Sequence, residues 1–206
     1  HPIRTSAAGF LPAAGRLYRH YLPLFPTAVE LIDLDPYDLV ISSSHCAAKS
    51  VVVPGRATHV CYCHSPMRYA WDQFEAYFGP ERMGRMPSAV LRRVMAWLAR
   101  WDRDTAGRVD RYVANSQYVA GRIGRYYNRV ASVVYPPVDT ELFTPDAARP
   151  RKHYLIVSAL VPYKRVEIAI DACRRLGRPL VVAGDGPERA RLERQGDALI
   201  SFAGSV

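Results

Sequence analysis

Tyr154-Leu-Ile-Val-Ser-Ala159 runs into Leu160-Val-Pro-Tyr-Lys164-Arg165, and after an amphipathic stretch comes Leu180-Val-Val-Ala-Gly184-Asp-Gly186-Pro-Glu188. The order reads as strand, basic loop, helix, strand, glycine loop, helix. In the stretch between, Val166, Ala169, Ile170, Cys173 and Leu176 recur at the spacing of a helix with one apolar face. Such a unit lays two strands in a parallel sheet and delivers two helix N-termini to the same edge. Unpaired backbone N–H groups and helix dipoles there favour an anion, and Lys164 and Arg165 add positive charge. A cation on the first turn of a helix opposes the dipole and costs stability unless an anion is present. The expected ligand is a nucleotide or a sugar nucleotide. Gly184-x-Gly186-Pro187 permits a tight turn with close approach of a ligand. A third glycine and the ribose-binding acid of a dinucleotide fold are missing, which argues against a nicotinamide oxidoreductase.

The same alternation extends towards the amino terminus. Asp38–Ser43, Thr58–Cys63, Arg111–Ala114 and Ala131–Tyr135 are short apolar runs separated by helical segments, as in a parallel sheet whose strands are buried on both faces. The longest helix is expected from Ser88, an N-cap after Pro87, to Arg108, with Leu91, Val94, Met95, Leu98 and Trp101 on one stripe and Arg92, Arg93, Arg100 and Arg103 elsewhere. A further helix begins near Ser116, with Val119 and Ile123 inward. Residues 144–153, rich in proline, alanine and charge, read as a linker between a first domain (1–143) and the first half of a second (154–206, with a third strand at Leu199–Phe202). The fold class is α/β.

The 206 residues are 49% hydrophobic and 23% charged, an ordinary globular composition, and no apolar run reaches the ~18 residues that span a bilayer. The formal charge is +9, and Lys49, Lys152 and Lys164 are the only lysines among 28 basic residues. A surplus of this size suits nucleic acid, anionic lipid or phosphorylated substrates. No nucleic-acid module appears, so nucleic acid is not an expected partner. The arginine face of the long helix suits anionic headgroups if it does not simply face solvent. Four cysteines are too few for a secreted disulfide scaffold, and with no signal peptide they point to a cytoplasmic protein, at the inner face of the membrane if that helix meets lipid.

His64 directly follows the strand ending at Cys63, at the carboxyl edge where open α/β sheets bind ligands, and Pro66 and Arg68 follow it. It is a candidate acid, base or substrate contact. His45, Cys46, His59, Cys61, Cys63 and His64 lack the spacing of a zinc site, and no metal is expected. No Gly-x-Ser-x-Gly elbow, Walker loop or His-Glu-x-x-His helix occurs, which leaves hydrolase chemistry without support.

Six segments in order, Tyr37-Asp-Leu-Val-Ile-Ser-Ser, Cys61-Tyr-Cys-His-Ser-Pro-Met-Arg-Tyr-Ala-Trp-Asp72, Val113-Ala-Asn-Ser116, Val134-Tyr-Pro-Pro-Val-Asp139, Ser158-Ala-Leu-Val-Pro-Tyr-Lys-Arg165 and Gly184-Asp-Gly-Pro-Glu188, give the chain a family likeness. It resembles the retaining GT-B glycosyltransferases of the large group 1 family that includes bacterial mannosyltransferases. The resemblance implies two Rossmann-like domains facing a cleft, acceptor in the first and sugar-nucleotide donor in the second. It implies that His64 lies near the transferred sugar, that Ser65, Arg68, Tyr69 and Ser116 stand on the acceptor side, and that Lys164, Arg165, Ser158, Gly184 and Gly186 hold the donor. The implied reaction moves a hexose, mannose first among them, from a GDP- or UDP-sugar to a glycan or a polyprenyl- or other lipid-linked acceptor. It proceeds with retention and needs no metal or other cofactor, because cationic and helix N-terminal groups meet the departing diphosphate.

Ala159 stands where relatives commonly carry arginine, and neither the family's amino-terminal glycine-rich loop nor its later acidic donor motif has a counterpart. Both domains are therefore expected to be incomplete and the chain alone inactive. The alternative is a non-catalytic α/β module that binds a nucleotide or a partner.

Overall fold

The computed structural model describes residues 3, 5–13, 21–144 and 152–205. The chain divides into two compact units, His1–Pro137 and Val138–Val206. Residues 145–151 of the expected linker lie outside the described residues.

In the first unit β1 (Leu39–Ser44), β2 (Thr58–Cys63), β3 (Arg111–Ala114) and β4 (Ala131–Val133) pair in that order, all parallel. Among the described residues six α-helices accompany them: α1 (Phe25–Glu30), α2 (Arg68–Trp71), α3 (Phe74–Phe78), α4 (Pro80–Met83), α5 (Arg85–Asp104) and α6 (Gln117–Tyr127). The second unit is a parallel sheet of β5 (Tyr154–Val157), β6 (Leu180–Ala183) and β7 (Ile200–Gly204), with α7 (Val166–Arg175) and α8 (Arg189–Glu193). The class is α/β with two Rossmann-like parallel sheets. No helix among the described residues is long and apolar enough to cross a membrane.

Local signals explain several boundaries. Ser116 caps α6 by accepting from the Val119 N–H at 3.3 Å, and Asn128 closes it in the left-handed region at φ 52°. The long helix departs from expectation: it starts at Arg85, three residues before Ser88, and ends at Asp104 in a 3-10 turn, Thr105–Arg108. Gly84 at φ 84° precedes it, and Pro87 is tolerated because the N–H groups of a first helical turn have no intrahelical partner. Ser88 is thus buried inside the helix rather than capping it. Met95 and Leu98 are buried as the stripe requires, and Arg92, Arg93, Arg100 and Arg103 are exposed. In α7, Val166, Ile170 and Cys173 are buried, whereas Leu176 has passed the helix end and is exposed.

Two apolar clusters build the first unit. Cys61, Cys63, Tyr112 and Ala114 of the sheet pack on Val119, Ile123 and Tyr127 of α6, and Leu22, Met67, Phe78, Met95 and Leu98 form the other. Leu160, Val166, Ile170, Leu180, Val182, Leu192 and Ile200 form the core of the second. Burial on both faces does not hold for β1 and β5. Leu39 and Ile41 are exposed while Ser42 and Ser44 are buried, and Tyr154, Leu155 and Val157 are exposed. Both are edge strands, and among the described residues β1 packs only one of its faces.

A buried ion pair sits within the first unit. Lys49 Nζ lies 3.1 Å from Asp102 Oδ1, both residues at most 1% exposed, and donates to the Asp102 carbonyl at 2.6 Å and to Ser50 Oγ at 3.0 Å. Asp102 Oδ2 accepts from Trp71 Nε1 (2.8 Å) and Tyr127 OH (2.9 Å), and the ammonium stands 4.7 Å from the Tyr127 ring centroid. Burial pushes the Lys49 pKa down, against the opposing pull of Asp102. The network joins the 3-10 turn Ala48–Ser50, α2, α5 and α6, so it ties sequence-distant elements together.

Candidate functional site

The carboxyl edge of the first sheet is extended one residue past the strands. His64 N donates to Ser44 O (2.8 Å), Asn115 N to Cys63 O (3.3 Å) and Val134 N to Ala114 O (3.0 Å). His64 therefore stands exposed at the edge, in ladder register beyond β2. Its Nε2 lies 2.9 Å from Ser43 Oγ, its ring meets Tyr62 edge-on at 5.2 Å, and its carbonyl accepts from Asn115 Nδ2 at 3.4 Å. The imidazole is thus oriented by neighbours on its own and the adjacent strand.

His45, just past β1, is the neighbour that the strand reading left unassigned. Burial pushes its pKa below the usual imidazole range, and the Arg68 guanidinium and His64 act in the same direction. Arg68 opens α2.

The remaining acceptor-side candidates also make contacts within the fold. Ser65 is buried and donates to Pro66 O at 2.8 Å. The Ser116 hydroxyl caps α6 and donates to Asn115 Oδ1 at 3.0 Å. Tyr69 is half-buried, its ring edge-on to Tyr77 at 4.9 Å. Among the described residues no group of three or more His, Cys, Asp or Glu side chains could hold a metal ion. His59 is buried between Ser42 Oγ (2.9 Å) and the Arg108 carbonyl (2.8 Å), and burial lowers its pKa against the pull of that carbonyl. Cys46, Cys61, Cys63 and Cys173 are free and buried, and burial pushes the Cys46 thiol up to about 12.

In the second unit the edge is built from backbone. Ser158 N donates to Ala183 O (3.0 Å), Leu160 N to Asp185 O (2.9 Å) and Glu188 N to Leu160 O (3.0 Å). These bonds draw the two loops together. A Cβ on Gly184 (φ 134°) would collide with the Ser158 carbonyl, and one on Gly186 (φ 156°) with the Leu160 carbonyl. The close approach that both glycines permit is therefore to the chain's own loop. Ser158 and Gly184 line a cavity of about 340 Å³ together with Ala159, Asp185 and Ser205.

Lys164 and Arg165 do not line that cavity, and they do not occupy the first turn of α7. Lys164 ends a 3-10 turn, Pro162–Lys164, with its exposed ammonium 5.6 Å from the Tyr163 ring centroid. Arg165 holds the N-cap position in a left-handed conformation (φ 49°, ψ 42°), a geometry costing about 1–3 kcal/mol for a non-glycine residue. Its Nε lies 2.6 Å from Glu167 Oε1. Burial acts upward on the Glu167 carboxyl, but its own backbone N–H and Arg165 hold it below the usual carboxylate range. The dipole conflict expected from sequence is thus met inside the chain, where Glu167 supplies the negative charge.

One family matches: the model of Glycosyltransferase Family 4 aligns with residues 3–142. No curated protein sequence matches. Among solved structures, the crystal structure of Anabaena HepE in complex with UDP and glucose is similar to this chain at 14% identity and a TM-score of 0.45, covering 93% of this chain and 67% of that one. The match takes in all four strands of the first sheet, the imidazole edge and α5, more than half of the sequence, and with it the chain belongs to glycosyltransferase family 4.

Proposed function

We propose that the protein transfers a hexose, mannose by our assignment, from GDP- or UDP-sugar to a lipid-linked or glycan acceptor with retention at the anomeric carbon. The family 4 match over residues 3–142 carries this reading. The first unit holds the acceptor around His64 and Arg68, and the second holds the donor on the 158–165 and 184–186 loops. Leaving-group departure adds a further negative charge to a diphosphate that already carries two, and the exposed ammonium of Lys164 offsets that added charge without a metal ion. His64, oriented by Ser43, contacts the transferred sugar. Incoming oxygen and departing phosphate share one face of the sugar, so no protein nucleophile is required. The outward side of α5 carries the exposed Met86, Val90 and Trp97 with Arg93, a stripe suited to an anionic inner membrane surface.

Calorimetric titration with GDP and UDP tests the donor site. Lys164→Ala is expected to weaken binding about tenfold, roughly 1.4 kcal/mol, with an unchanged melting temperature. An unaltered affinity removes Lys164 from the site. Incubation of the full-length parent protein with labelled GDP-mannose and lipid-linked or free glycan acceptors, with NMR of the product anomer, tests the chemistry, since the 206-residue chain alone is expected to be inactive. Nucleotide binding with no transfer would favour the non-catalytic module.

A further inference from the structure

Asp72 and Arg122 form an ion pair that leaves one edge of the guanidinium unused. Asp72 Oδ1 accepts from the Tyr126 hydroxyl and Oδ2 pairs with Arg122 Nη1, so both oxygens of the carboxylate are engaged. Arg122 Nε and Nη2 are buried and have no hydrogen-bond partner among the described residues, on a side chain that is 10% exposed. The N–H groups of Nε and Nη2 lie side by side, forming the fork that grips both oxygens of a carboxylate or phosphate. Unpaired, they bear the full desolvation of charged donors, so a buried fork points to a ligand. Burial acts downward on the Arg122 pKa, but the Tyr118 hydroxyl and Asp72 more than offset it, and the cation is the stable form.

Arg122 lines a cavity of about 350 Å³, at the lower end of the size range of small-molecule sites. Gln117, Tyr118 and Arg125 line it from the same helix, α6, and Asp72 from just past α2. Gly121 adds to the wall, and a Cβ built there would meet nothing within 4 Å. Glycine weakens a helix interior relative to alanine, and the space that it leaves open here belongs to the cavity. Tyr118 is 73% exposed, with its ring centroid 5.8 Å from the guanidinium carbon. It can turn aside with little loss of packing and open the fork to the cavity. Two guanidiniums against one carboxylate give the lining a single net positive charge. That charge balances a carboxylate, whereas a phosphate monoester carries about −1.5 to −2 at neutral pH. The Gln117 amide and the Tyr118 hydroxyl supply donors and acceptors for hydroxyl groups, and the Tyr118 ring supplies an apolar face for the C–H edge of a sugar.

We propose that this cavity binds a carboxylate-bearing sugar, a uronate, with its two carboxylate oxygens on Arg122 Nε and Nη2 and its hydroxyls on Gln117 and Tyr118. The assignment goes beyond the transferase reading and does not need it, because none of these residues takes part in the reaction as proposed above.

Glucuronate, glucose, glucose 6-phosphate and acetate titrated separately into the full chain test the proposal. Glucuronate is expected to bind about tenfold more tightly than glucose or acetate, and to move the Arg122 Nε–H resonance in a proton–nitrogen correlation spectrum along the same saturation curve. Arg122→Lys keeps a cation opposite Asp72 but lacks the fork, and should bring glucuronate down to the affinity of glucose. Gly121→Leu fills the open space and should abolish binding of both while the melting temperature is kept. An unmoved resonance would leave the fork to ordered water and overturn the proposal, as would equal affinity for glucuronate and glucose or indifference to Arg122→Lys. Glucose 6-phosphate bound as tightly as glucuronate would overturn the choice of a carboxylate, and acetate bound as tightly would overturn the choice of a sugar.

Discussion

The two sheets present their carboxyl edges in different materials. The first offers side chains, His64 held by Ser43 with the exposed His45 one residue past β1, and elsewhere in that unit lies a buried ion pair. The second offers backbone: two glycine positions locked against neighbouring carbonyls and a left-handed Arg165. Side chains distinguish one ligand from another by charge and shape, whereas a backbone cradle accepts any phosphate of suitable size. Under the proposed transferase reading, selectivity for the acceptor belongs to the first unit and anion binding to the second. The difference also separates the ways in which each can fail, since the first depends on a polar network and the second on space.

The sharpest break is Asp102→Ala, which leaves the Lys49 ammonium buried without its counter-charge and removes the acceptor of Trp71 and Tyr127. It is expected to cost about 3–5 kcal/mol in urea unfolding of the first unit; a loss under 1 kcal/mol would mean that water reaches the pair. Gly184→Ala attacks the other edge. Forcing a Cβ against the Ser158 carbonyl at positive φ should cost about 1–3 kcal/mol and shift amide resonances in the second unit, and a variant as stable as the parent would show that the loop yields freely.

A pH series sharpens the contrast further. His59 is held neutral in the fold, so its folded pKa lies below the unfolded value of about 6.5. Below pH ~6.5 the unfolded chain binds the extra proton. Stability is therefore intact above that pH and falls as the pH drops towards the folded value, by at most about 1.4 kcal/mol per pH unit for one group. His45 contributes with the same sign, and a His45→Gln variant leaves the His59 share. The urea midpoint should decline between pH 7 and pH 5, and a flat profile would show that neither imidazole resists protonation. The smallest effect concerns α5. Arg93→Glu should weaken binding to phosphatidylglycerol vesicles by about 1 kcal/mol per charge removed, and unchanged binding would leave its basic side facing only solvent.

Strands were the most legible part of the fold, because a short apolar run between turn residues has few other uses. Thr58–Cys63 and Arg111–Ala114 stand as read, and β1 is displaced by one residue. Helix starts were less legible. Ser88 has the chemistry of a cap, yet Gly84 supplied the backbone geometry and the helix ran through Pro87. Lys164 and Arg165 were found by charge, but the 3-10 turn that carries Lys164 and the left-handed Arg165 that follows it depend on tertiary packing that no local spacing encodes. The Lys49 and Asp102 partnership spans 53 residues and leaves no local trace. His64 was legible from its position after a strand, whereas His45 needed the folded sheet to bring it beside Arg68.

Enclosure of the Lys49 amine has a practical corollary. With that group 1% exposed, amine-reactive reagents meet only Lys152 and Lys164 besides the chain terminus, and both are exposed. Mass-spectrometric footprinting with such a reagent thus becomes an assay of two lysines in which Lys152 serves as internal reference. Protection of Lys164 by an added nucleotide would read out donor occupancy in unmodified protein, free of the background that lysine-rich proteins impose.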